Sequence, residues 1–350
     1  MQQTEKKPAT KQSIQYRHAH FAGAQTVEIR RSALPEPQAG EVRLRVRRTA
    51  LCGSDNRLWR DGANQTPGHE IFGVVEQPGH PADQQRACVY IPVYCGKCPS
   101  CRRGVTQSCQ TQSTLIGWNR DGGFSEYVLV PEQCLLPVPD SIEDRLAPLL
   151  LDTIGTSAHA VRTVKRLMAS QRGDSPLSDL RILVTGAGPV GIGTLIALQD
   201  IGFEGIEVFD PTPKRMAIAL QLGALAQAGA NNADESGQRY DCVFECSGAH
   251  AARNAAISAV APDGVVVLIG ENSSPWTIEE GPVFRRKDFI MLRSFYFPVS
   301  EHRMNVELLE RRSDQYRTIT DTEFSLDELA QAYVEFARGD TLKPLLTITD

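Results

Sequence analysis

The chain is expected to fold as an α/β protein of two domains, one rich in β-strands and one built on a doubly wound parallel sheet. Three observations predict this. Its 350 residues exceed what one ordinary core accommodates. From about Ile14 to Val138 short alternating runs are broken by Gly and Pro. From Leu180 onward, strand-like and helix-like segments alternate.

In the first stretch, EVRLRVRRTAL, HEIFGVVEQ, ACVYIPVY and GGFSEYVLVP read as strands of a compact β-domain with functional loops between them. After Pro139, SIEDRLAPLLLDTIGTSAHAVRTV reads as a helix capped by Ser141, with acidic residues in its first turn. RILVTG, GIEVFD, YDCVFECSG and GVVVLIG then read as strands, joined by the helices PVGIGTLIALQDIG, PKRMAIALQLG and AARNAAISAV. Crossovers of that kind are right-handed and lay helices on a parallel sheet. From about Pro298 one further helix, SLDELAQAYVEFARG, precedes an apolar end that returns to the first domain. The polar start, residues 1–13, predicts a disordered tail and lacks the apolar core of a signal peptide.

Composition narrows the function. A hydrophobic share of 41% and a charged share of 23% describe a soluble globular protein. A formal charge of -5 and a pI near 5.9 give no reason to expect a nucleic-acid or general membrane partner. No apolar run approaches a membrane span. The nine cysteines are an odd number, with Cys242 and Cys246 inside an apolar run, a usage that suits a reducing cytoplasm.

Four of those cysteines, Cys95, Cys98, Cys101 and Cys109, sit in CGKCPSCRRGVTQSC. Thiolates so close-set fill the corners of a tetrahedral zinc site and leave no position open for a substrate. Disulfides would close cramped rings, and an iron–sulfur cluster would need a redox partner that nothing in the sequence supplies.

A second motif, Gly186-Ala187-Gly188-Pro189-Val190-Gly191, follows the strand RILVT and opens a helix. In that context its glycines let backbone N–H groups approach a pyrophosphate at a helix N-terminus. The next strand ends in Asp210, 24 residues after Gly186, where a carboxylate accepts from ribose hydroxyls and repels a 2′-phosphate. NAD is therefore expected over NADP, a preference that Lys214 and Arg215 just beyond could soften.

Cys52 in LCGSD and His69 with Glu70 in PGHE supply a thiolate, an imidazole and a carboxylate in loops of the first domain. A catalytic zinc takes about three protein ligands and keeps one position open; Glu70 and Asp152 are the candidates for the third.

With CGSD, PGHE, the four-cysteine lobe, GGFSEY and GAGPVG followed by Asp210, the chain resembles the zinc-dependent medium-chain alcohol dehydrogenases, the superfamily that includes polyol and sorbitol dehydrogenases. The resemblance runs from about residue 14 to the end. It implies a GroES-like catalytic domain over 14–155 and 298–350, with a structural zinc lobe at 95–109, and a Rossmann NAD-binding domain over 156–297. It implies two zinc ions per chain, the catalytic one held by Cys52, His69 and Asp152, with Glu70 beside the metal. Ser54 would pass the substrate hydroxyl proton toward solvent while hydride moves to the nicotinamide. Relatives are dimers or tetramers, commonly through the last strand of the nucleotide-domain sheet, which makes IMLRSFYF a candidate edge.

The chain also departs from that pattern. Where many relatives carry a histidine three residues after the serine, this chain has Arg57, which cannot act as an ordinary base. Arg57 could instead bind an anionic or hydroxyl-rich substrate, or stand as an exposed cation. The link from Cys52 to His69 is short for the family, which implies a remodelled pocket. That pocket is expected from Asn56–Arg60, with Trp59, from Trp118–Arg120, and from Phe295–Phe297, with Tyr296 and with Glu126 nearby. Aromatic faces with convergent polar groups suit a sugar, cyclitol or other polyol; a hydrophobic secondary alcohol, an amino alcohol, or a non-catalytic NAD sensor are the competing readings. His159 is expected as a hydrogen-bonded helix histidine, and Cys88 and Cys134 as core filler.

Overall fold

The computed structural model describes residues 15–172, 179–227, 239–278, 287–320 and 322–349; the expected tail at 1–13 lies outside them. A hairpin of β1 (Gln15–Gly23) and β2 (Thr26–Ala33) opens the chain. Next comes β3 (Glu41–Ala50), where Val42, Leu44 and Val46 are fully buried and alternate with arginines, as a strand with one buried face requires. A short helix α1 (Asn56–Asp61) leads to β4 (Glu70–Val75) and β5 (Arg86–Val89). The cysteine lobe with its one-turn helix α2 (Pro99–Arg102) then precedes β6 (Tyr127–Pro131) and β7 (Leu135–Pro137).

The helix expected from Ser141 begins later. Residues Ala147–Leu150 form a 3-10 turn, Asp152–Thr156 a π-turn, and α3 runs only over Ser157–Arg172. Pro148 and Gly155 interrupt the intended ladder, and Ser141 instead donates to Glu310 at 2.6 Å.

From there the alternation is regular. The strands are β8 (Ile182–Thr185), β9 (Glu207–Phe209), β10 (Leu225–Ala226), β11 (Tyr240–Glu245), β12 (Val260–Leu268) and β13 (Phe289–Arg293). Between them lie α4 (Pro189–Asp200), α5 (Pro213–Gln221) and α6 (His250–Ala259). All pairs are parallel, in the order β10-β9-β8-β11-β12-β13. The order reverses at β8, so a crevice opens between the carboxyl ends of β8 and β11, where such sheets bind ligands. Helix α4 is buried from Gly191 to Leu198, which explains its uniformly apolar sequence.

The C-terminal part holds two helices, one more than the sequence led us to expect. The extra one, His302–Arg317, is hidden by its many charges, yet it buries Val306, Leu308, Leu309 and Tyr316. The expected helix occupies Leu329–Arg338, preceded by a capping box of Ser325 and Glu328 and stopped by Gly339 in the left-handed region. Strands β14 (Glu323–Ser325) and β15 (Leu345–Thr347) bring the chain end back to the first sheet, whose order is β14-β15-β3-β4-β5-β7 with β6 also on β3.

Glu301 joins α3 to the helix at 302–317. It accepts from Arg162 at 2.6 and 2.9 Å and lies 3.1 Å from His159 Nδ1. Burial raises the Glu301 pKa, but His159 and Arg162 outweigh it and hold the carboxyl below its ordinary value. A depressed pKa gives stability that is complete above the unfolded value, about 4.3, and is lost as pH falls through the folded one. Glu301→Gln should therefore be less stable than wild type at neutral pH, and the difference should shrink between roughly pH 5 and pH 3. Urea midpoints across that range measure it.

Candidate active site and metal centres

The β3–β4 ladder pairs Ala50 with Glu70, so Cys52, just past β3, and His69, just before β4, leave the sheet side by side. Gly68 makes the turn into His69 possible: its φ is +96°, and a Cβ there would lie 2.8 Å from Phe124. Asp152 comes from the π-turn, a local widening of the kind often found at functional sites. Its Oδ2 lies 3.0 Å from His69 Nε2 and accepts from Cys52 Sγ at 3.3 Å. Ser54 donates to Cys52 Sγ at 3.2 Å.

Two supports behind these groups were not singled out from the sequence, although the first of them closes the CGSD motif. Asp55, fully buried, lies 2.9 Å from His69 Nδ1 and fixes the ring so that Nε2 faces Asp152. Lys343, also buried, donates to the Leu51 carbonyl at 3.0 Å and to Glu70 Oε1. Glu70 sits behind the ligands and does not line the cleft, although its carboxylate remains within 4.8 Å of the other donor atoms.

The donor set fits a cation. Burial disfavours charge on His69, but Asp55 and Asp152 outweigh it and hold its pKa well above the usual value. Burial and Asp152 push the Cys52 thiol up. Burial raises Glu70 to about 7 against the pull of Lys343. A thiol, an imidazole and two carboxylates bring their donor atoms within 4.8 Å of one another, a set of donor types that a divalent ion takes.

The lobe is a second such point. Its four sulfurs lie within 4.8 Å of one another, with Cys95–Cys101 at 4.0 Å and Cys98–Cys109 at 3.9 Å. A tetrahedron with metal–sulfur bonds of about 2.3 Å has edges of about 3.8 Å. Backbone N–H groups of Cys98 and Lys97 point at Cys95 Sγ at 3.2 and 3.4 Å. Hydrogen bonds led by that of Thr111 pull Cys95 down to about 5, while burial and its neighbouring thiols push Cys101 up to about 12. All nine cysteines are free of disulfides.

Both halves of the expected site line one cleft of about 530 Å³. Cys52, Ser54, His69 and Asp152 form one wall; Gly186, Gly188, Pro189, Val190, Asp210 and Arg215 form another. Gly191 follows inside α4. Asp210 is held in place by backbone donors, Ala187 N–H to Oδ2 and Thr212 N–H to Oδ1, both at 2.8 Å. Arg57, Trp118 and Tyr296 also line the cleft. Trp59 does not. It is buried against Tyr333 with ring centroids 5.2 Å apart, because α1 turns that side of its short helix into the core. Arg120 and Glu126 are likewise directed elsewhere, Arg120 to Glu41 and Glu126 to the Arg17 backbone.

The buried Glu70–Lys343 pair yields a direct test. Lys343→Met strands a buried carboxylate and should cost about 3–5 kcal/mol in urea unfolding. Adding Glu70→Gln should recover most of that loss.

Residues 38–140 match the alcohol dehydrogenase GroES-like domain, and 147–347 match the glucose dehydrogenase C-terminus. The chain is 27% identical to an uncharacterized zinc-type alcohol dehydrogenase-like protein of Escherichia coli strain K12, over 95% of this chain and 98% of that one. It is 31% identical to an L-threonine 3-dehydrogenase of Pyrococcus horikoshii, over 73% of this chain and 75% of the relative. The alcohol dehydrogenase TADH of Thermus sp. ATN1 has the same fold, with a TM-score of 0.85 at 24% identity over 95% of this chain and 100% of that one. With its two clusters of metal-binding side chains and its glycine-lined cleft, the chain belongs to the zinc-dependent medium-chain alcohol dehydrogenases.

Proposed function

We propose that the protein interconverts a polar secondary alcohol (a sugar, cyclitol or other polyol) and its ketone, with NAD as hydride acceptor. The observation that carries this is the single cleft that brings Cys52, His69 and Asp152 to face the glycine turn and Asp210. In it, Cys52, His69 and Asp152 would hold the catalytic zinc, which supplies Lewis acidity toward an alcohol oxygen, and Cys95, Cys98, Cys101 and Cys109 would hold the structural one.

The chain's own groups do the rest. Asp55 keeps the His69 ring oriented, and Lys343 compensates the charge of Glu70 behind it. Ser54 lines the cleft beside Cys52 and is placed to take the hydroxyl proton of the substrate and pass it outward. Arg57 stands where a histidine would complete that path, so the proton leaves through water or ribose hydroxyls. Ile91, Leu115, Trp118 and Tyr296 keep bulk water from the reacting carbon. Asp210, already fixed by two backbone donors, accepts from the adenosine ribose and disfavours a 2′-phosphate; Arg215 on the same wall tempers that preference.

A second reading, an amino-alcohol substrate, is favoured by the relative identified as an L-threonine 3-dehydrogenase. Nine thiols free of disulfides support a cytoplasmic location. The edge position of β13, with Met291 exposed, supports a homodimer or homotetramer built through that strand.

Three measurements test these assignments. Metal analysis should give about two zinc ions per chain, falling toward one in Asp152→Ala; unchanged content in that variant would pass the third-ligand role to Glu70. A panel of polyols, cyclitols, amino alcohols and aliphatic alcohols, followed by NADH absorbance, should show turnover of polyols first. Asp210→Ala should weaken NAD by roughly ten-fold more than NADP; equal losses would remove the ribose role.

A further inference from the structure

The charged groups that line the cleft differ in how far they are already committed. Arg293 donates to the carbonyls of Ile269 and Gly270 at 2.7 and 2.9 Å. Lys343 is bound to Glu70, and Arg215 lies on the Asp210 wall. Arg57 has no hydrogen bond or ion pair among the described residues. The acid one turn along, Asp61, is taken by Arg60 at 2.8 and 3.3 Å.

Arg57 is nonetheless not a loose side chain. Its guanidinium carbon lies 5.2 Å from the centroid of the Trp118 ring, and that ring is 5.5 Å from the ring of His69. One indole thus touches both the cation and a metal-ligand candidate. Stacking on an aromatic face orders the guanidinium and leaves its N–H fork available, which reduces the entropy lost when a planar anion docks. The cleft also contains Tyr296, buried, strained at φ +48°, and with no acceptor for its hydroxyl proton among the described residues.

We infer that Arg57 sets the substrate class: the alcohol carries an anionic group, a carboxylate or a phosphate, that pairs with this guanidinium while its carbinol reaches the Cys52–His69–Asp152 cluster. This rests on the reading of the cleft as a polar-alcohol site. A bidentate pair with an oxyanion explains why arginine stands at a position from which no proton can be relayed.

The test uses the full chain loaded with zinc, with NADH bound for the calorimetry and NAD supplied as hydride acceptor for turnover, and three compounds of one carbon skeleton: a pentitol, its aldonate and its phosphate ester. Calorimetric binding and kcat/KM should both favour an anionic compound over the pentitol by roughly 10- to 100-fold. The arm that wins identifies carboxylate or phosphate. Arg57→Ala should collapse that ratio, and Arg57→Lys should restore part of it. No anionic preference in the wild type, or the same preference in Arg57→Ala, overturns the inference. So does an Arg57→Ala variant that loses NADH affinity by the same factor, because Arg57 would then serve the cofactor. Turnover of pentitol without anionic preference removes only the Arg57 assignment. Arg57-dependent anion binding without turnover of any alcohol removes the dehydrogenase reading instead.

Discussion

The register of β3 is the constraint on which the rest of the site depends. Pairing Ala50 with Glu70 on one side and with Leu345 on the other places three distant segments at one strand end. Cys52, His69, Glu70 and Lys343 meet there although they span most of the chain. A slip of one residue in either ladder would turn Glu70 away from Lys343 and leave both charges buried alone. The same register keeps Leu51 in place through its N–H bond to the Pro344 carbonyl.

The cysteine lobe acts on the active site through packing. Thr106, inside the lobe, lies 2.9 Å from the Tyr90 hydroxyl and accepts from the Val299 N–H at 2.9 Å. Tyr90 donates to the Phe297 carbonyl at 2.6 Å, and the Phe297 ring lies against Gly155 in the π-turn that carries Asp152. The lobe, with no reaction of its own, therefore anchors a row of buried contacts that ends at the π-turn bearing Asp152, a candidate ligand of the second cluster.

Much of this was legible before any fold was known, and the reasons differ by residue. The four lobe cysteines sit in a short motif whose spacing is itself the geometric requirement, whereas Cys52 and His69 were legible from their donor types and from the CGSD and PGHE motifs that carry the resemblance. The strands from Leu180 onward announce themselves because buried parallel strands are continuous apolar runs. Lys343 was invisible because its partner lies 273 residues away and a lone lysine near a terminus reads as solvated surface. Asp55 closes the CGSD motif, but its role depends on a partner 14 residues away, His69 Nδ1, that the motif does not show. The helix at 302–317 was masked because its apolar positions are outnumbered by charges. Trp59 misled in the opposite sense: an aromatic beside a catalytic loop went to the core, since a two-turn helix must bury one face.

The π-turn packs on α4 so closely that a Cβ at Gly193 would lie 2.0 Å from the Thr153 carbonyl oxygen, and Ser157 donates to the Val190 carbonyl at 2.8 Å. Asp152 is therefore packed onto α4, the helix that opens at the glycine turn, whereas Cys52 and His69 flank the β3–β4 ladder. If these three groups hold the zinc, as proposed above, the donors come from separately built parts of the fold, and a metal seated among them would work as a clasp. A metal held there would tie the π-turn and α4 to the β3–β4 sheet, and its loss would leave the two joined only through packing.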